Sequence, residues 1–134
     1  MSCRMRRPAT VKIPLSRGDW ILVKQHLTAG EQQEMFARML LPNRQLDPVK
    51  VAPGKVLAYL LDWSFTDFDD RPIRIAEQSE DVVRQALKDI DDDAFLEVQQ
   101  AIETHEAAMH QAREQEKNAP DGANASSVTS PSAA

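Results

Sequence analysis

Six consecutive apolar residues, Val56-Leu57-Ala58-Tyr59-Leu60-Leu61, place the strongest constraint on this chain. A helix that is apolar on every side has to be enclosed by partners. The stretch therefore predicts a central buried element around which the other segments pack. Proline is welcome in a first helical turn, so the pattern predicts a helix from about Pro53 to about Trp63. At 134 residues the chain has the size of a single domain.

The segments that would pack on this element are legible from their periods. Val11, Ile13 and Leu15 alternate with polar residues, as in a half-buried strand. Ser16-Arg17-Gly18-Asp19 supplies a turn, with Gly18 free to take a positive φ. Trp20-Ile21-Leu22-Val23 is rich enough in aromatic and branched residues to return as the second strand. Pro14 has no amide to donate, which puts the first strand at a sheet edge.

Thr28-Ala29-Gly30-Glu31 has the spacing of a capping box. The helix it opens carries Met35, Phe36, Met39 and Leu40 on one face and Gln32, Gln33 and Arg38 on the other, and Pro42-Asn43 ends it. Residues 43–53 read as a connector, residues 65–72 as a loop, and Ile73-Arg74-Ile75 as a short extended piece. Ser79 is placed to cap a third helix whose stripe is Val82, Val83, Ala86, Leu87 and Ile90. A fourth starts in Asp91-Asp92-Asp93, where acids favour a helix start, and carries one narrow seam of Phe95, Val98, Ile102, His105 and Met109. It is expected to fray after Arg113 to Lys117.

The expected fold is thus mainly α, within the α+β class: about four helices with a small N-terminal β-hairpin. Residues 1–10 are expected to be a disordered basic arm, 11–117 a single mostly helical domain, and 118–134 a disordered tail without core formers.

Charge and composition narrow the function classes. The net charge of −5 conceals a split: residues 1–30 hold six basic residues and one acidic, whereas residues 62–106 hold fourteen acidic and four basic. Phosphate contacts dominate duplex affinity, so the acidic half argues against nucleic acid as the main partner. Arg4, Arg6, Arg7 and Lys12 leave a nucleic-acid-binding regulator as an alternative reading. No stretch approaches the roughly 20 apolar residues of a membrane span. The basic start is followed by Pro8-Ala9-Thr10-Val11-Lys12 rather than an apolar leader core, so a cytosolic protein is expected. The lone Cys3 excludes an internal disulfide framework.

Residue chemistry offers no catalytic, cofactor or metal site. His105-Glu106-Ala107-Ala108-Met109 lacks the second histidine that helical zinc binding needs at i+4, and His110 points about 100° away. His105 reads instead as a seam residue with its ring edge at the surface. Asp67-Phe68-Asp69-Asp70 begins like a calcium loop, but Pro72 and Gln78 stand where glycine and a bidentate glutamate are required, which leaves a solvated turn. The acids from Asp89 to Asp93 read as a helix cap and solvated charge. With four glycines in the chain, no phosphate-cradling loop is present.

What remains is apolar surface. Trp63, Phe65 and Phe68 cluster after the central run, with Trp20 expected near them, and serve either as core plugs or as interface anchors. Met35 and Met39, adaptable side chains, pose the same choice. The candidate partner-binding residues are therefore Met35, Phe36, Met39, Leu40, Trp63, Phe65, Phe68, Phe95, Val98, Ile102 and Met109.

Several short motifs across residues 11–110 carry a resemblance. They are Ile13-Pro14-Leu15 with Gly18-Asp19-Trp20-Ile21, Leu27-Thr28-Ala29-Gly30-Glu31, the run from Val56 to Asp67, and Ala101-Ile102-Glu103-Thr104-His105-Glu106. Together they resemble the tail assembly chaperones of long-tailed bacteriophages and prophages. The resemblance implies a helical, non-catalytic protein of the infected cell's cytoplasm. It would bind the tape measure protein while tail tube subunits polymerise, and be absent from the mature virion. A longer frameshifted form is also common in that family. The competing class is a minor structural tail or connector protein, which would stay in the particle.

Overall fold

A computed structural model describes residues 3–5 and 8–118 of the chain. The hairpin forms as its alternation predicts, from β1 (Thr10–Pro14) and β2 (Trp20–Lys24). They run antiparallel with Val11 opposite Val23 and Ile13 opposite Ile21. β1 lies at the edge of the sheet, where the missing amide of Pro14 is harmless. The turn between the strands is a single 3₁₀ turn, Ser16–Gly18, in which both Arg17 and Gly18 adopt positive φ. Glu97 on the fourth helix clamps it, its carboxylate accepting from the Ser16 amide (2.6 Å) and hydroxyl (2.9 Å).

α1 (Ala29–Met39) opens on the expected capping box: Thr28 Oγ1 accepts from the Glu31 amide while the Glu31 carboxylate accepts from the Thr28 amide. It ends at Met39, because Leu40 leaves the helical region and forms a bridge with Leu46. α2 (Pro48–Tyr59) is packed against α1 and against the third and fourth helices, so the apolar run does lie at the centre of the fold.

Both boundaries expected for α2 are corrected. The first-turn proline is Pro48, capped by Asp47, and Pro53 sits inside the helix. Its missing donor falls on the carbonyl of Val49, in an exposed first turn. At the other end the helix stops at Tyr59, and Leu60–Trp63 forms β3, antiparallel to β2. A short apolar run fits a buried helix and a buried strand equally. What decides is the second edge of β2, whose amides and carbonyls take Leu60–Trp63 as their partners. The hairpin is therefore part of a three-stranded sheet, with a one-residue bulge at Leu61 between the pairs Val23–Leu60 and Leu22–Asp62.

α3 (Glu80–Asp89) is capped by Ser79 as expected, and α4 spans Asp92–Asn118. α4 remains helical through Arg113–Lys117, the stretch after which fraying is expected, and that last stretch is exposed. The segment around Ile73–Ile75 is not a strand, but Ile75 is buried. The tail expected from residue 118 lies, beyond Asn118, outside the described residues, as do Arg6 and Arg7 of the basic arm.

The core gathers one face of the sheet, the inner faces of α1 and α2, and the α4 seam. Ile21, Val23, Val56, Val98 and Ile102 are fully enclosed. Gly54 lets α1 and α2 approach closely, since a Cβ there would sit 3.0 Å from Met39 Cγ. His105 is buried, correcting the surface ring edge expected for it. Its Nε2 lies 3.1 Å from the Lys24 carbonyl and 3.0 Å from that of Gln25, and Tyr59 packs edge-on against the ring. The imidazole thus ties α4 to the end of β2.

Candidate functional site

The candidate partner residues separate cleanly by burial. Met35 and Met39 face the core, whereas Phe36, between them in sequence, is 49% exposed on another side of α1. Val98 and Ile102 have no exposed surface, so no partner reaches them in the folded chain. The α4 seam is core, with Phe95 and Met109 half-buried at its two ends.

Trp63 is also enclosed, its indole donating to the Ile73 carbonyl at 2.8 Å, and Phe65 packs on it with ring centroids 5.0 Å apart. Trp20 does not join this cluster. Strand alternation puts it on the opposite face of the sheet, with Lys12 Nζ 4.4 Å from its ring centroid. Phe68, five residues after Trp63, is fully exposed. It rides on a tight turn held by Asp67, whose Oδ1 accepts from the amides of Asp69 (2.8 Å) and Arg71 (3.1 Å). Among the described residues no group of three or more His, Cys, Asp or Glu side chains is placed to hold a metal ion.

Two open grooves flank α3. The first, of about 860 Å³, runs between α1, α2, α3 and the start of α4. Its floor is Leu40, Pro53, Leu57, Leu87, Ile90 and Phe95, and Val49 stands at its border, 80% exposed. Its rim carries Arg38, Lys50, Arg84 and Lys88, with Asp92 as the only acid lining it among the described residues. The carboxylate of Glu80 bridges two of these cations, 2.7 Å from Arg38 and 2.5 Å from Arg84. The Arg38 hydrogen bond chiefly holds this carboxyl below the ordinary 4.5; partial burial opposes it, and Arg84 adds to the lowering. Lys50 and Lys88 form no ion pair with any described residue.

The second groove, of about 1180 Å³, lies between the opposite flank of α3 and the loop that bears Phe68. Its apolar residues include Phe65, Phe68, Ile73, Val82 and Ile90, and among the described residues its charged lining is Asp19, Asp67, Asp89 and Asp91 against Arg74. Ile90 borders both grooves.

A polar cluster links α2 to α4 elsewhere. Lys55 pairs with Glu106 at 2.7 Å, and the Tyr59 hydroxyl donates to the same carboxylate at 3.3 Å. Burial, followed by the neighbouring Glu106 charge, pushes the Tyr59 phenol up to about 12. At neutral pH it is a donor, and the cluster reads as a structural tie.

The sequence reading missed most of the first groove: Val49, Pro53, Leu57, Leu87 and all four rim cations. The signal that could have found it is the i, i+4 pair Arg84/Lys88 beside the Leu87–Ile90 part of the α3 stripe. Starting α2 at Pro53 hid Val49 and Lys50, which belong to its first turn.

Comparison with protein-family models, with curated proteins and with solved structures finds no match for this chain. No helix among the described residues is long and apolar enough to cross a membrane.

Proposed function

We propose that this chain is a non-catalytic tail assembly chaperone of a long-tailed bacteriophage or prophage. In this reading it acts in the host cytoplasm. It binds the tape measure protein, and in passing the tail tube subunits, and is left out of the mature virion. The resemblance of residues 11–110 supplies the biological setting. The observation that carries the binding role is the open apolar floor between α2, α3 and α4. A helical partner with an apolar stripe has there a surface to cover without disturbing the core. Such a groove suits a releasable contact, because a modest interface with several weak anchors dissociates readily.

The test is co-expression with the long helical tape measure protein of the same gene cluster. The expected result is that the tape measure protein becomes soluble and is retained by the tagged chain, while purified virions lack the chain. A tape measure protein that stays insoluble and unbound overturns the reading. Stoichiometric recovery of the chain from virions replaces it with the structural tail or connector class.

A further inference from the structure

We infer that the segment filling the groove between α1, α2, α3 and α4 is an amphipathic helix whose apolar stripe is flanked by acidic residues. The inference deepens the helix-binding reading and rests on it. It concerns the chemistry of the partner, and holds or fails whatever that partner's biological identity.

Three observations carry it. The first is the sign of the rim. The chain as a whole is acidic, at −5, yet the charged side chains around this floor are Arg38, Lys50, Arg84 and Lys88 against Asp92. Glu80 offsets part of the two arginines, but it is already shared between them. Lys50 and Lys88 are left without an ionic partner among the described residues. Complementary charge on an incoming chain lowers the barrier to docking and fixes its orientation, whereas like charge there opposes binding.

The second is the kind of element that borders the floor. Every described residue lining it belongs to a helix or stands next to a helix end, and no strand among the described residues contributes. An extended peptide laid there would bury backbone amides and carbonyls with no sheet edge to receive them. A helix brings its backbone already hydrogen-bonded and offers side chains alone.

The third is spacing. Arg84 and Lys88 stand one turn apart along α3. Acids at i and i+4 on a partner helix repeat at the same rise of about 6 Å. The groove on the other flank of α3 has the opposite rim, so charge also selects which of the two a given helix enters.

The experiment uses the full chain and two synthetic helical peptides of about 20 residues. They share one leucine stripe, flanked by glutamate in one and by lysine in the other. Binding is followed by fluorescence anisotropy at low and high salt, for the wild type and for K50E/K88E, with circular dichroism to check the fold. The two lysines form no ion pair with described residues, so the variant is expected to stay folded. The glutamate peptide is expected to bind the wild type roughly 10-fold tighter than the lysine peptide, the sum of a few exposed pairs. K50E/K88E is expected to abolish that preference, and salt to weaken it. A fluorophore at Val49 should report the glutamate peptide and one at Val82 should not.

Equal affinity for both peptides, or glutamate-peptide binding unmoved by K50E/K88E, overturns the acidic-partner inference and leaves helix binding intact. If neither peptide binds, that result overturns both the acidic-partner inference and the helix-binding reading. So does a concentration-dependent dimer, or nucleic-acid binding, that K50E/K88E abolishes while the peptides do not bind. If the glutamate peptide binds but the tape measure protein does not, the phage assignment fails and the groove chemistry stands.

Discussion

The two grooves beside α3 share an apolar wall and differ in everything that surrounds it. Ile90 borders both. On one flank Arg38, Lys50, Arg84 and Lys88 border a floor whose aromatic, Phe95, is half-buried and packed on the core. On the other flank Asp19, Asp67, Asp89 and Asp91 border a slope with two rings: Phe65, half-buried against Trp63, and Phe68, fully in solvent on an Asx-stabilised turn. One helix thus separates a preformed floor with cationic edges from an acidic slope whose outer ring, Phe68, is unsupported. Apolar content alone does not distinguish them. Charge and the support beneath the aromatic do, and those are what a partner would read.

The comparison presumes that the long seam of α4 lies in the core. The largest expected effect tests that premise. Ile102→Glu would bury a carboxylate with no partner at a fully enclosed position, at a cost of several kcal/mol. Against a total stability of about 5–15 kcal/mol, cooperative thermal unfolding should be lost. Ile102→Val, by contrast, should cost only about 0.5–1.5 kcal/mol. A glutamate variant that melts like the parent would make the seam a surface, and the grooves would no longer be the main apolar faces on offer.

The intermediate effect contrasts the two aromatics. Phe95→Ala removes a half-buried ring packed against the core and should cost roughly 2 kcal/mol, below the range of about 3–5 for full burial. Phe68→Ala removes a ring that touches little and should change stability by less than about 0.5 kcal/mol. Chemical denaturation with a common m value measures both. Equal losses would mean that Phe68 has a packed state in solution and that the second groove is closed there.

How far the sequence reached can be followed along the same elements. Capping chemistry was the most legible layer, because Thr28, Glu31 and Ser79 act through bonds to their own neighbours. The periods of β1, β2, α1, α3 and α4 were legible for the same local reason. The partition of Val56–Leu61 was not. Whether Leu60 continues a helix or starts a strand depends on a vacant edge of β2, some forty residues earlier in the chain. The α4 seam has the spacing of a partner-binding stripe, and only the packing of α2 and the sheet against it makes it core. The basic groove was harder still, since its rim is drawn from three helices and no single segment announces it.

The smallest expected effect concerns the one acid that organises the basic rim. Glu80 is held below its ordinary 4.5 first by the Arg38 hydrogen bond, against partial burial, and then by Arg84. A carboxyl depressed in the folded state contributes stability that is present above the unfolded value. That contribution is lost as pH falls from about 4.5 through the lower folded value. With the Glu80 side chain 43% exposed, solvent screens the triad, and its worth is that of exposed pairs, roughly 0.5 kcal/mol. Glu80→Gln should therefore lower the melting temperature slightly at neutral pH. The gap to the parent should close as the pH is taken below 4.5, and shrink at high salt. Glu80→Gln should also strengthen binding of the glutamate-flanked helix, because both arginines then face the groove without an internal carboxylate. A gap that instead widens toward acid pH would mean that Glu80 is not stabilised by its arginines, and that the charge contrast between the two flanks of α3 is weaker than the geometry implies.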